Sequence, residues 1–322
     1  MEGKKKKKFY GLLPLLGMCI FISSLIINLL SLTAIGAERT RGPAVAGYFY
    51  PKNQSVLMEM VDQLIKDVKQ KPLAGNILGL ISPHAAYTFS GQVAAYSYRQ
   101  LKNKSYDTVI ILGPSHHVYF KGASVGNWDS YKTPLGNVRV NREIANKLLN
   151  SGGIFQFIEK AHIKEHSIET QIPFLQRTLK NFDIVPIVTG ALSMEDCEEI
   201  SDILVKIAKE KNILFIASSD MSHYPNHNNA NKVDRHFLSL IEEYDPLIVF
   251  NTANNFLKKE IPNLVTVMCG LNAVVTAMMT VKKCGANGVK ILHYANSGDV
   301  SVQGYKRTDR VVGYGAVAFY KK

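Results

Sequence analysis

The chain has 322 residues, of which 46% are hydrophobic and 20% charged, and its formal net charge is +12 at pH 7. This composition excludes a disordered chain, a collagen-like fibre and a small disulfide-stabilised scaffold. A membrane protein with several spans is excluded as well, because only one stretch is uncharged for long enough to cross a bilayer.

The amino-terminal segment combines a positive run with that uncharged stretch. Residues 4–8 are five consecutive lysines, and residues 9–37 contain no charged residue. We predict that residues 1–37 are a signal peptide or a transmembrane anchor, with membrane contact through residues 9–33 if the segment is uncleaved. Because the lysines stay inside, both alternatives predict an extracytoplasmic body, either anchored in the inner membrane or exported to the periplasm or cell surface.

The composition of residues 38–322 also limits the partners and the covalent cross-links. No Lys/Arg run with interleaved aromatic residues occurs there, so we predict no nucleic-acid partner. The three cysteines of this region, Cys197, Cys269 and Cys284, allow one disulfide at most, and stability must come from an ordinary core.

Short β-branched runs alternate with helical patterns over residues 38–322. The predicted strands are 76–81, 108–112, 183–188, 213–217, 289–293 and 310–320, and the predicted helices are 55–71, 92–102, 142–150, 168–179, 195–209, 233–243 and 270–283. Such alternation favours a largely parallel sheet covered on both faces, and residues 131–140 are typical of a hairpin. We therefore predict one α/β domain, residues 38–322, with a mixed central sheet flanked by helices on both faces.

Three of the predicted strands are followed by a histidine. His84 follows residues 76–81, His116 follows 108–112, and His223, with Asp220 just before it, follows 213–217. Ligands of open α/β sheets bind at the carboxyl ends of the strands, so we expect these residues to share one site. Cys269 precedes a predicted helix, where the helix dipole favours the thiolate and lowers the pKa. Imidazoles suit Zn, Cu, Fe or Ni, and an added thiolate favours the softer metals.

Further polar residues are candidates for the same pocket. His117 adjoins His116, points elsewhere, and is predicted to support the site or to contact a substrate. His166 and Glu169 are three residues apart and would share one face of a helix, either as a metal pair or as a polar cluster that supports the site. A hydrolase and a nucleotide-binding protein are unsupported, because the sequence has no Gly-x-Ser-x-Gly, Walker A or Gly-x-Gly-x-x-Gly motif.

The motifs, taken in order, resemble those of the Memo family. They are RGPAVAGYFY at 41–50, SPHAAYTFSG at 82–91, GPSHH at 113–117, TPLG at 133–136, EHSIE at 165–169, SSDMSH at 218–223 and Met268-Cys269-Gly270. The family is similar in fold to the class III extradiol dioxygenases, which are non-haem iron enzymes with a mixed sheet and flanking helices. The resemblance implies this fold for residues 38–322.

The resemblance also implies a site. His84, His116 and Cys269 match metal-binding positions of the family, with iron or copper as the cofactor. Asp220 and His223 match pocket positions and are predicted to supply acid–base catalysis. Phe49 stands where a tryptophan contributes to the peptide pocket of animal members. The predicted pocket is completed by Tyr87, His117, His166 and Glu169.

The function implied is a Memo-like metal-binding protein that acts as a non-haem iron or copper dependent oxidoreductase, dioxygenase-like, on an unknown small molecule. Two alternatives stay open: a non-catalytic module that binds a peptide or a small ligand, and an extracytoplasmic metal-handling protein. Because bacterial members often occur alongside a radical SAM protein, a functional link to such a protein is implied too.

Overall fold

The computed structural model describes Gly3 and residues 38–256, 261–302 and 304–322. Arg39–Lys322 form one compact unit. The segment predicted to be a signal peptide or an anchor lies, apart from Gly3, outside the described residues. The domain division proposed from the sequence, 1–37 and 38–322, therefore stays a prediction.

Strands and helices alternate along the described residues. The strands are β1 (Thr40–Arg41), β2 (Asn76–Ser82), β3 (Thr108–Pro114), β4 (Ala123–Val125), β5 (Ser130–Thr133), β6 (Gly136–Arg139), β7 (Phe155–Gln156), β8 (Asp183–Thr189), β9 (Ile213–Ser218), β10 (Gly288–Asn296) and β11 (Gly313–Lys321). The helices are α1 (Gln54–Asp67), α2 (Tyr87–Arg99), α3 (Arg142–Leu149), α4 (Glu159–Ile163), α5 (Ile172–Thr178), α6 (Met194–Ala208), α7 (His227–Glu242), α8 (Pro246–Phe256) and α9 (Leu271–Lys283).

A mixed sheet of eight strands forms the centre of the fold, in the order β10-β11-β2-β9-β3-β8-β4-β7. β2, β9, β3 and β8 run parallel to one another, whereas β11 is antiparallel to β2 and β4 is antiparallel to β8. Every residue of β3 and β9 is buried, which explains why their sequences are continuous apolar runs rather than alternating ones. The predicted α/β fold with a mixed sheet flanked by helices is confirmed.

The hairpin predicted at residues 131–140 is present, but it belongs to a second sheet. β5 and β6 are antiparallel neighbours, and β5 pairs in parallel with β1. The central sheet is mixed for a different reason, namely the antiparallel strands β4, β10 and β11.

Helices α4 and α8 are absent from the sequence prediction, and one predicted helix is divided. The predicted helix 168–179 is divided into a 3₁₀ turn, Glu169–Gln171, and α5, which has Pro173 in its first turn, where proline loses no hydrogen bond. Helix α8 was not predicted, and it begins at Pro246, a residue favoured at the first helical position.

The membrane-spanning helix and the extracytoplasmic location predicted from the sequence find no support in the described residues. No helix in the described part of the chain is long and apolar enough to cross a membrane. The longest, α7, has 16 residues, fewer than the roughly 20 that a span requires, and only part of it is buried. The expected transmembrane helix, membrane contact and extracytoplasmic location are corrected to this finding for the described part of the chain, and residues 9–33 lie outside it.

Asp234 of α7 holds the segment that follows β9. Its buried carboxylate accepts hydrogen bonds from the backbone N–H of Ser222, at 2.8 Å, and from the hydroxyl of Tyr294, at 2.8 Å. Burial raises the pKa of Asp234 to about 6, although these bonds oppose the rise. The carboxylate thus positions the segment that carries Asp220 and His223 at an electrostatic cost.

We expect Asp234→Asn to change how stability depends on pH. The folded pKa of Asp234 lies above the unfolded value, so wild type is penalised above pH 6 and the penalty fades as the pH falls from 6 towards 4. Asp234→Asn can accept the N–H of Ser222 through its amide oxygen and donate its amide N–H to the hydroxyl oxygen of Tyr294. Relative to this variant, the free energy of unfolding of wild type should rise by up to about 3 kcal/mol over that range. Urea unfolding of both proteins from pH 4 to 7 measures this difference in the free energy of unfolding. A difference that does not change with pH would contradict the prediction.

Candidate metal centre

Three neighbouring parallel strands end at one edge of the central sheet, and each leads into a residue of the candidate site. β2 leads to His84, β3 to His116, and β9 to Asp220 and His223. The ring centroids of His84 and His116 are 5.1 Å apart. His223 lies close enough to these rings for a charge on it to affect the pKa of His84.

A further histidine, His166, joins this group from the loop that follows α4. Its ring centroid lies 4.5 Å from that of His116 and 5.4 Å from that of His84. One ligand atom from each of the three residues lies within 4.8 Å of the other two, so His84, His116 and His166 could hold a metal ion. The sequence pointed to His166 only as a partner of Glu169 or as a supporting residue.

Cys269 lies beside the histidines. Its Sγ is 3.2 Å from Nε2 of His84 and accepts a hydrogen bond from the backbone N–H of Asp220 at 3.3 Å. Burial, reinforced by the charge of Asp220, raises the pKa of the Cys269 thiol well above its usual value. The lowered pKa expected from its place before a helix is not seen, because burial outweighs the effect of the helix.

The hydrogen bonds of the two strand-end histidines leave the same ring nitrogen available. Nδ1 of His84 lies 2.9 Å from the hydroxyl of Ser218, and Nδ1 of His116 lies 2.9 Å from a carboxylate oxygen of Glu165. Metal-binding histidines commonly engage their second nitrogen in this way, which fixes the ring and its tautomer. Nε2 of each ring is thus the atom that can face an ion.

Glu165 connects two loops of the site. Its carboxylate accepts the backbone N–H groups of His116 at 2.7 Å and of His166 and Ser167 at 2.9 Å each, in addition to Nδ1 of His116. Burial acts to raise the pKa of Glu165, but the hydrogen bonds and charge of His116 hold it well below its usual value. The sequence reasoning missed Glu165, whose signal is its place directly before His166 in the EHSIE motif.

The pKa values of the His84, His116 and His166 rings are shifted in different directions. Burial lowers the pKa of His84 well below its usual value, with a further lowering from His116 and His166. Burial likewise lowers the pKa of His166 to about 4, against the charge of Glu165. Burial acts in the same direction on His116, but its bond and attraction to Glu165 raise its pKa above the usual value. His84 and His166 are therefore neutral near pH 7, the state in which histidine binds metals.

Asp220 and His223 share the site without bonding to each other. The Asp220 carboxylate is buried and accepts the backbone N–H of His84 at 2.8 Å, and burial raises its pKa to about 7. Burial lowers the pKa of His223 to about 4, and its Nε2 is buried with no hydrogen-bond partner among the described residues. Asp220 thus fixes the backbone of His84 rather than orienting His223.

Glu169 has a supporting role instead of facing an ion with His166. Residues 166–168 are not helical, so the spacing of three does not place the two side chains on one face. The Glu169 carboxylate forms a buried ion pair with Arg41 and accepts hydrogen bonds from the Tyr50 hydroxyl and the backbone N–H of Val45. Glu169 thus belongs to a buried polar cluster with Arg41 and Tyr50, whereas His166 lies in the group that could hold an ion.

The remaining predicted pocket residues surround the histidines at different depths. Phe49 packs edge-on against His166, with ring centroids 4.8 Å apart. His117 is exposed, and its centroid lies 6.3 Å from that of His166. Tyr87 is buried and donates its hydroxyl to the carbonyl of Thr170 at 2.6 Å; with Phe49 it lines a small cavity of about 260 Å³.

A cleft of about 430 Å³ gives access to the candidate metal-binding group, His84, His116 and His166. Its walls include His116, His117, Tyr119, Phe120 and Cys269. The side chain of His116 is 26% exposed, whereas His84 is buried, so the group is open from the His116 side. A volume of this size accommodates a small molecule.

We expect Arg41→Met to lower the free energy of unfolding by about 3–5 kcal/mol, because it leaves the buried carboxylate of Glu169 without its counter-charge. Arg177→Met is the matched control: Arg177 pairs with Asp62 at the surface, so the loss should be at most about 1 kcal/mol. Urea unfolding at pH 7 measures the free energy of unfolding of wild type and of both variants. Equal losses in the two variants would contradict a special role for Arg41.

Comparison with known proteins agrees with the motifs. Residues 41–318 match the family model described as Memo-like protein. A MEMO1 family protein of Nitrosopumilus maritimus is 36% identical over 287 residues, covering 87% of this chain and 99% of that protein. One of Thermoplasma volcanium is 35% identical over 278 residues, covering 86% and 97%. A crystal structure of an uncharacterised Escherichia coli K12 protein aligns with a TM-score of 0.49 at 12% identity, over 74% of this chain and 99% of that one. On the family match and these relatives, the chain belongs to the Memo family.

Proposed function

We propose that this chain is a metal-dependent oxidoreductase that acts on a small molecule in the cleft beside His116. The observation that carries the proposal is the group of three histidine ligand atoms within 4.8 Å of one another, next to Sγ of Cys269. We propose iron or copper as the metal, held by His84, His116 and Cys269, with His166 as an additional donor.

The donor set supports this type of ion. Imidazole nitrogens and a thiolate suit iron, copper and zinc, whereas magnesium and calcium prefer oxygen ligands. When bound, iron or copper would supply electron transfer between the substrate and an oxidant. The surrounding hydrogen bonds fit as well, because Ser218 and Glu165 orient the rings of His84 and His116.

His223 is proposed to handle a proton of the substrate. With its lowered pKa it is neutral near pH 7, and its Nε2 has no protein partner in the described part of the chain. A neutral imidazole of this kind can accept a hydrogen bond from a substrate hydroxyl and take up its proton. Asp220 contributes indirectly by holding the backbone of His84.

A binding module without turnover is the second candidate. The side chains of Tyr48 and Tyr119 are 86% and 85% exposed. Tyr119 lines the cleft, and Tyr48 adjoins Phe49, which contacts His166. Exposed aromatic rings near a site are typical of surfaces that bind a peptide or another ligand. The link to a radical SAM protein stays a prediction from the resemblance.

We expect the purified protein to bind one Fe(II) or Cu(I) ion per chain and Cys269→Ser to weaken that binding at least tenfold. His84→Ala and His116→Ala should abolish it, and Cys269→Asp should shift the preference towards Fe(II). Elemental analysis and anaerobic metal titration measure stoichiometry and affinity. Cys197→Ser is the matched control, since Cys197 is buried on α6 and its Sγ contacts the backbone carbonyl of Asn272 rather than a histidine of the group.

Full stoichiometry and affinity in folded Cys269→Ser would show that the thiolate is not a ligand. In that case, a loss of metal in His166→Ala would assign the ion to the three histidines alone.

We expect His223→Gln to lower kcat for oxygen uptake with a catechol by roughly 100-fold while the metal content stays unchanged, because the variant cannot take up a proton. An oxygen electrode and metal analysis of the same samples give the two readouts. His227→Gln is the control, because His227 pairs with Asp299 at the surface. Tight metal binding by wild type without oxygen uptake on any catechol tested would favour the binding module.

A further inference from the structure

A second cavity, of about 580 Å³, lies near the carboxyl-terminal strand. Its volume is in the range of small-molecule sites. Its walls are largely apolar and aromatic, formed by Phe89, Val300, Val302, Tyr305, Val312 and Tyr314.

This cavity and the metal-binding group lie beside the same backbone segment. Val312 forms a β-bridge with His223, and the N–H of Gly313 donates to the carbonyl of Ser222 at 2.9 Å. The three histidines of the metal group are not among the described residues that line the cavity. It is therefore a separate space from the cleft beside His116.

The charge at the cavity is positive. Arg307 and Arg310 both line it, and no carboxylate is among its described lining residues. Arg307 is paired with Asp309. The guanidinium of Arg310 lies over the ring of Tyr224, 4.8 Å from the centroid, and has no carboxylate partner among the described residues. Arg310 is thus available to pair with an anion.

The apolar walls are partly exposed to water. Val302 is 39% exposed and Tyr305 is 71% exposed, although both line the cavity. An apolar group that enters the cavity would cover this surface, which favours binding. The apolar walls favour an apolar part of a ligand, and the guanidinium of Arg310 favours an anionic part.

We propose that this cavity binds a small amphipathic anion, namely a carboxylate or sulfonate attached to an aromatic or branched aliphatic group. The apolar part packs between Phe89 and the valines, and the anionic group pairs with Arg310. Planar guanidinium groups suit such anions because they donate two parallel hydrogen bonds. The site does not depend on a bound metal, so it stands apart from the proposed oxidoreductase function.

Calorimetric titration of the metal-free full chain with two matched probes tests the proposal. 2-Naphthoate carries the anionic group, and 2-naphthylmethanol is its neutral counterpart. We expect naphthoate to bind at least tenfold more tightly than the alcohol. No detectable binding of naphthoate, or equal affinity for the two probes, would overturn the proposal.

Variants locate the binding. Arg310→Gln should reduce the affinity for naphthoate to that for the alcohol, and Val302→Asp should weaken naphthoate binding at least tenfold through repulsion. Two controls should leave it unchanged: Arg235→Gln, whose guanidinium lies 5.2 Å from the ring centroid of Tyr294, and Val56→Asp, a 49% exposed valine on α1. Equal losses in variants and controls would place the binding elsewhere and refute the site.

Discussion

The buried carboxylate of Glu165 is the interaction on which the metal-binding group depends. It accepts N–H groups from two separate segments, the one that follows β3 and the loop that carries His166. An ionised carboxylate out of contact with water must have its oxygens hydrogen-bonded, so both segments are held in one arrangement. The same carboxylate fixes the ring of His116 through Nδ1. Both histidines are therefore placed before any ligand binds.

The loop that carries Glu165 is in turn held by Arg41. The Arg41 guanidinium donates to the carbonyl oxygens of His162 and Glu165 and pairs with the carboxylate of Glu169. Through Glu169, which also accepts from the backbone N–H of Ala44 at 2.6 Å, the segment at residues 41–50 is joined to the same loop. Buried ion pairs contribute little net stability, because desolvation offsets most of the attraction. The Arg41–Glu169 ion pair instead acts by positioning: it brings Phe49 against His166 and keeps Glu165 facing His116.

The sequence pointed directly to the candidate site residues that follow strands, whereas it indicated His166 only as a partner of Glu169 or a supporting residue and gave no role to Glu165. The fully buried strands β3 and β9 are apolar runs that end in polar residues, so their boundaries and the residues after them are visible in the sequence. Glu165 and His166 lie in a loop with no periodicity, and only the folded chain brings them to the strand ends. The raised pKa of Cys269 was missed for a related reason, because a helix start is visible in a sequence and burial is not. Strands of two or three residues, such as β4 and β7, carry too little pattern to predict.

The depth of the two strand-end histidines decides from which side the metal-binding group can be approached. His84 is buried, and its backbone is held by the carboxylate of Asp220 while its ring is held by Ser218. His116 follows β3, which is separated from β2 by β9 in the sheet. Its side chain is more exposed than that of His84 and lines the cleft. A ligand of an ion held there would therefore arrive past His116. The buried part of the site comes from the ends of β2 and β9, and the accessible part comes from the segment after β3, which also carries His117 and Tyr119. Changes in that segment can alter which molecules enter without disturbing the donors behind it.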